Sequence, residues 1–191
     1  QGVLAVARGA FFVASNADAT APSEWGNTPA NGAFVQVITH ATGVDPVVAG
    51  KPMRPLHQEG MLRTGARNPL IVGDRLDTDI EGAVTHGAAG MLVLSGVATP
   101  AEVLAAPEHQ RPHYLAWDVS GMNKAHPAVE HEGTTVLCRG WAVTVDGSGV
   151  GLSGSGERLD GLRALCAAVW GHPGVDPAGT SVHEALSHLG W

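Results

Sequence analysis

Leu70, Ile71 and Val72 form a short aliphatic run that stops at Gly73-Asp74, and within a few residues the pattern turns helical. A run of this length, closed by a glycine and an acid, reads as a buried strand, and Thr78-x-x-Glu81 reads as a capping box that starts a helix lasting to about His86. The same alternation recurs on both sides. Pro46 to Ala49 is an apolar strand followed by a helix carrying Leu56, Gly60 and Leu62. Met91 to Leu94 is a strand followed by a short helix announced by Thr99 and Pro100, and Tyr114 to Trp117 adds a last short strand. Strand and helix in repeated alternation predict an α/β fold, a parallel sheet with helices on its faces. Ligands of such sheets bind at the carboxyl ends of the strands. Asp74 sits at one such end, and a second carboxylate five residues on, Asp79, lies where the helix starts. The pair can hold a divalent cation or simply close a turn and complement the helix dipole.

Upstream, Val3, Leu4, Val6 and Ala7 read as the end of a helix stopped by Gly9, so the chain opens in mid-pattern at Gln1 and further sequence is expected before it. Ala10 to Ala14 is a strand candidate running into the polar turn Ser15 to Thr20, a placement that often carries ligand contacts. Ala21 to Pro29 is expected to be irregular. A helix then runs from Asn31, with Phe34, Val37, Ile38 and Ala41 on one face, to Gly43. Lys51, in Gly50-Lys51-Pro52, stands at another strand end.

Composition excludes several classes. With 11 basic against 18 acidic residues and a formal charge of −7, the chain is no general binder of nucleic-acid backbone. Its only cysteines, Cys138 and Cys166, form no CxxC pattern, which predicts reduced thiols in a cytoplasmic protein. No apolar run reaches the roughly 18 residues of a membrane span, and the start lacks the features of a signal peptide.

Val72-Gly73-Asp74-Arg75-Leu76-Asp77-Thr78-Asp79-Ile80-Glu81-Gly82 resembles the fourth motif of the haloacid dehalogenase superfamily, and Ala49-Gly50-Lys51-Pro52 resembles its third, with Lys51 and Asp74 a fitting 23 residues apart. Phe12-Val13-Ala14-Ser15-Asn16-Ala17-Asp18, with the Pro29 to Gly32 turn and the helix after it, is similar to the end of the large C2-type cap of the NagD-like, p-nitrophenyl-phosphatase subgroup. The resemblance implies a Rossmann-like core and Mg²⁺-dependent hydrolysis of a small phosphorylated metabolite, such as glycerol phosphate, through an aspartyl-phosphate. Asp74 would be a magnesium ligand. Lys51 would neutralise the nucleophile and the transferring phosphoryl oxygens, and Asp79 would position Lys51. Asn16 and Asp18 would touch the leaving group, the alternative for both being an Asx-type turn. A homo-oligomer through the cap is also in keeping with the family.

The family's first motif, a strand followed by DxD, is found nowhere. Asp77-Thr78-Asp79 has the letters, but it lies inside the fourth motif with no strand directly before it. The chain is therefore expected to be the C-terminal part of such an enzyme, inactive alone. The rival is a non-catalytic binding module that keeps the acidic site.

The expected divisions are residues 1–48 as the end of the cap, 49–122 as the core, 123–133 as a linker and 134–191 as an α+β extension. The extension resembles one found on some actinobacterial phosphatases and likened to part of an acetyltransferase fold. Gly149-Val150-Gly151-Leu152-Ser153-Gly154 spells GxGxxG. The half-exposed alternation before it and the flanking Gly147 and Gly156 favour a hairpin over a nucleotide loop. The histidines form no metal pattern: His183-Glu184 with His188 is one residue too long for HExxH, and Pro112 separates His109 from His113.

Overall fold

The computed structural model describes residues 1–191. It opens with α1 (Gly2–Ala7), β1 (Val13–Ala14), the hairpin β2 (Thr20–Ser23) and β3 (Gly26–Pro29), and α2 (Asn31–Thr42). Next come β4 (Val47–Val48), α3 (Pro55–Thr64), β5 (Leu70–Gly73), α4 (Glu81–His86), β6 (Ala89–Val93), α5 (Pro100–Leu104) and β7 (Tyr114–Ala116). The last part holds β8 (Glu130–Glu132), β9 (Thr135–Cys138), β10 (Trp141–Asp146), β11 (Gly149–Gly154), α6 (Arg158–Gly171) and α7 (Thr180–His188).

The sheet is parallel, as the alternation predicts, in two pieces. β1 pairs with β4, and β5, β6 and β7 lie side by side in that order. This is the α/β character of a Rossmann-like core. β5 forms one edge of its sheet, so its carboxyl end at Gly73 and Asp74 is reached from the side as well as from above.

Three local expectations change. Thr78 caps nothing: a turn of π-helix begins at Leu76 and runs straight into α4, which leaves Thr78 within the helical segment and only 2% exposed. Arg75 is the extended residue before that segment, and the Asp79 carboxylate accepts from the Asp74 and Arg75 backbone N–H groups, the work a cap would do. The reciprocal capping box forms instead at Thr99 and Glu102 of α5. Ala21 to Pro29 is ordered as the β2–β3 hairpin. Ala30 donates to the Ala19 carbonyl (3.0 Å), and from there the ladder alternates, so that Pro22 and Pro29 fall in non-hydrogen-bonded pairs where a missing N–H costs nothing. Gly26, at φ 104, turns the corner. Finally, α2 buries Gly32 and Val35, while Phe34 and Val37 face outward at more than 60% exposure. The helix is rotated this way because Gly32 lies directly on the Ala17-Asp18 backbone, where a side chain would collide.

The last part is a four-stranded antiparallel sheet, β11-β10-β9-β8, against which α6 and α7 pack. Trp141, Val143 and Val145 alternate inward along β10. Gly147, at φ 58, sits in the turn between β10 and β11, so the GxGxxG letters belong to a hairpin strand. α6 is buried on nearly every side, because it lies between this sheet and the α5–β7 part of the core. The main apolar cluster consequently spans both parts, running from Ile80 and Leu92 through Leu104 and Leu115 to Val143, Leu162 and Val182, while Met91, Val93 and Ala116 form a small separate one. Each fully buried leucine contributes roughly 1.5–3 kcal/mol. Within residues 123–133, Glu130–Glu132 pairs with β9 as β8.

Candidate active site

Two strand ends and one loop meet at Lys51. The end of β4 carries it, because Gly50 allows the Ser15 carbonyl an approach that any side chain would block, and Ala17 N–H donates to the Lys51 carbonyl (2.9 Å). The Lys51 ammonium lies 2.8 Å from Asp79 Oδ1 and 3.2 Å from Asp18 Oδ2. Burial pulls its pKa down, but the hydrogen bonds and charges of Asp79 and then Asp18 outweigh that and raise it above the ordinary lysine value. Lys51 is a fixed cation.

Asp79 is fixed as firmly. Its second oxygen accepts from the backbone N–H of Asp74 (3.3 Å) and of Arg75 (3.2 Å). Gly73 makes room for it, since a side chain there would overlap the Asp79 carboxylate. The glycine before the acid is thus part of the site.

Asp74 ends β5 and turns its carboxylate toward the loop after β6. Its Oδ2 accepts from Val97 N–H (2.9 Å), and Gly96 gives the space for that approach. Its other oxygen makes no hydrogen bond to the protein. No three histidine, cysteine or carboxylate side chains are placed to hold a metal ion together, so Asp74 offers a single carboxylate. Magnesium commonly takes one or two carboxylates and keeps waters or substrate oxygens for the rest. A lone, oriented strand-end carboxylate fits that pattern as one ligand.

The loop before β2 crosses this site. Asn16 forms the Asx-type turn, its Oδ1 accepting from Asp18 N–H (3.1 Å). Asp18 instead points at cations: Lys51 at one oxygen and Arg75 Nε, 3.7 Å away, at the other. Arg75 was not singled out by the sequence patterns, yet it binds the pieces together. It donates to the Thr20 carbonyl (3.3 Å) and hydroxyl (3.2 Å) and pairs with both oxygens of Asp77 (3.0 and 2.8 Å). The hydrogen bonds it donates to Asp77, offset in part by burial, raise its pKa further. Lys51, Asp79, Asp74 and Asp18 therefore come together, while Asn16 holds the loop beside them.

Arranged in this way, the chain offers a fixed ammonium, an oriented metal-type carboxylate and a loop across both, a constellation suited to neutralising an oxyanion such as a phosphoryl group. Residues 48–122 match the family profile described as HAD-hydrolase-like. Residues 138–191 match a second profile, GCN5-related N-acetyltransferase like domain. The chain is 37% identical over 183 residues to the D-glycerol 3-phosphate phosphatase of Mycobacterium tuberculosis, covering 89% of this chain and 50% of that one. A crystal structure of glycerol phosphate phosphatase from the same organism in complex with magnesium superposes with a TM-score of 0.79 at 35% identity, covering 98% of this chain and 57% of that one. The 4-nitrophenylphosphatase of Thermotoga maritima follows at 0.58 and 29% identity, covering 64% and 48%. The chain spans about half the length of these relatives.

Proposed function

We propose that this chain carries the charge-neutralising and metal-binding half of a Mg²⁺-dependent phosphatase for small phosphorylated metabolites, with glycerol phosphate-like substrates favoured. The observation that carries the reading is Asp79, which holds Lys51 with one oxygen and the Asp74-Arg75 backbone with the other. A single carboxylate thereby sets the phosphate-facing cation and the metal ligand in register. Lys51 stabilises negative charge on phosphoryl oxygens, and Asp74 holds Mg²⁺. The metal supplies Lewis-acid charge neutralisation when bound. Asn16 and Asp18 sit on the loop that touches Lys51, the part of the chain assigned to the leaving group. Two buried, unpaired thiols suit a cytoplasmic setting, and no helix is long and apolar enough to cross a membrane.

In this reading the reaction passes through an aspartyl-phosphate, which needs a carboxylate in line with phosphorus. Within the 191 residues, Asp18 and Asp79 are committed to Lys51, and Asp77 is committed to Arg75. These residues alone therefore hydrolyse no phosphomonoester at an enzymatic rate. The same fact supports the second reading, a non-catalytic module that binds a metal or phosphate. Assaying p-nitrophenyl phosphate with Mg²⁺ tests both. Turnover by this chain that disappears in Asp77→Asn overturns the assignment of the nucleophile. Mg²⁺ binding by this chain, measured by calorimetry and weakened by Asp74→Asn, is expected in either reading; binding unchanged in Asp74→Asn refutes the metal assignment.

A further inference from the structure

Away from Lys51, a cleft of about 440 Å³ opens where the outer edge of β7, residues 126–129 and α6 meet. A smaller one of about 200 Å³ adjoins it, and His126, Pro127 and Arg163 line both. The larger volume lies within the range of small-ligand sites, roughly 300–1,000 Å³. We propose that this cleft is a binding site for a small organic anion with a flat apolar body, an aromatic monocarboxylate being the class that fits.

Charge is the first argument. The buried Asp160, 1% exposed, pairs with both Arg163 and Arg139. Two guanidiniums thus share one carboxylate, and the cluster keeps an excess positive charge. Arg163 lines the larger cleft, and no aspartate or glutamate does. Its guanidinium is held by Asp160 on one terminal nitrogen and by the Leu115 carbonyl (2.6 Å) on the other. A guanidinium carries five N–H donors, so capacity remains for a ligand, and the group is already oriented.

His126 supplies the second argument. Both its ring nitrogens are shielded from solvent and neither has a hydrogen-bond partner, although the ring rests on Tyr114 with centroids 5.0 Å apart. Buried polar atoms are almost always satisfied, and a pair left open beside a cleft asks for a ligand atom or a water. His113, also in the lining, accepts from Gly90 N–H at Nδ1 (3.2 Å), so its neutral ring carries the proton on Nε2. Arg163 presents only donors and no carboxylate lines the cleft, which suits an anion and disfavours a cation.

The remaining wall is apolar. Tyr114, Val129, Ala167 and Trp170 present flat or aliphatic surface, and burial drives the Cys166 thiol pKa far up, so this cysteine serves as an inert apolar patch. A bare inorganic anion would leave that surface uncovered; a ring bearing one carboxylate covers it while meeting Arg163 and His126. None of these residues belongs to the Lys51 site, so this inference stands apart from the phosphatase reading.

The test is calorimetric titration of the intact chain with benzoate, and with benzamide and acetate as probes lacking the charge and the ring respectively. Saturable one-site binding of benzoate is expected, with each control at least about tenfold weaker. His126→Ala should weaken benzoate by about the same factor while lowering the melting temperature only slightly, since His126 makes no protein hydrogen bond and loses only its ring contact with Tyr114. Arg163→Lys should keep more affinity than Arg163→Gln. If Arg163→Gln fails to fold because Asp160 loses its partner, the His126→Ala result decides alone. Benzamide binding as tightly as benzoate, an unchanged affinity in His126→Ala, or no saturation by about 10 mM benzoate would each overturn the proposal.

Discussion

Replacing Asp79 by asparagine removes one charge and almost no volume, and its cost follows from what Asp79 touches. The asparagine carbonyl can still accept from Asp74 and Arg75 N–H, but its NH₂ then faces the Lys51 ammonium, donor against donor. Lys51 keeps Asp18 at 3.2 Å as its remaining carboxylate. The side chains of Lys51 and Asp79 are 29% and 12% exposed. That places the pair between exposed ion pairs, worth up to about 1 kcal/mol, and fully buried ones, whose breaking costs about 3–5 kcal/mol. A loss of about 2 kcal/mol is expected, or a fall in melting temperature of about 4–8 °C for a chain of this size. The pH dependence identifies the cause. In the parent, the Lys51 pKa is raised above 10.5, so its contribution is complete below that value and disappears as pH rises through the folded-state pKa. In Asp79→Asn, burial opposes the charged form with only Asp18 left to support it. The stability gap between the two proteins should therefore be full below the ordinary lysine value of 10.5 and close as pH rises through the raised folded-state pKa of Lys51. Chemical denaturation across that range reads it directly. A variant within about 0.5 kcal/mol of the parent at pH 8 would show that Lys51 and Asp79 form an idle surface pair, and the reasoning about the site would fail with it.

Gly73→Ala should be more damaging than Asp79→Asn, about 3 kcal/mol, because the new methyl displaces the carboxylate from Lys51 and from both backbone donors at once; denaturant midpoints of the two variants rank them. Arg75→Ala should loosen the Thr20 side of the loop, which limited proteolysis would detect as faster cleavage near residues 15–25, while Arg75→Lys, unable to make the forked contacts, should recover little of the loss. His57 has its pKa lowered, first by burial and then by the neighbouring His86. Its stability contribution is therefore present above pH 6.5 and lost as pH falls, so His57→Leu should flatten the decline in stability between pH 7 and 5, as followed by thermal melts.

The sequence was most readable where period and punctuation agreed. β5 and β6 follow from aliphatic runs with glycines beside them, and α5 from its Thr99-Pro100 start. Reading was poorest where backbone contact decides. The rotation of α2 depends on Gly32 lying against Ala17, a contact between segments that no helical periodicity reports, and so Phe34 and Val37 face outward. The start of the helix at Leu76 depends on Asp79 folding back onto Asp74 and Arg75, whereas Thr78 carries the more obvious capping letters. Within the candidate site, Lys51 and Asp74 follow strand ends and Asp79 lies in the helical turn after β5, positions that local patterns report, while the roles proposed for them come from the family resemblance. Arg75, Gly96 and Val97 were not legible, because their partners come from distant segments, and a glycine that makes room for a carboxylate looks like any other turn glycine.

The position of α6, clasped between the terminal sheet and the α5–β7 part of the core, changes what residues 123–133 mean. Measured along the chain they look like a place to cut. Measured by buried surface, the boundary passes through the middle of a helix whose two sides belong to different halves. A protease nick near Lys124 would leave two polypeptides still held together, melting in one transition. Expressed separately, each half would present an apolar wall to water. The terminal region is thus no passenger that evolution or a cloning scheme can add and remove freely: any exchange of it has to bring a matching surface for Leu104 and Leu115.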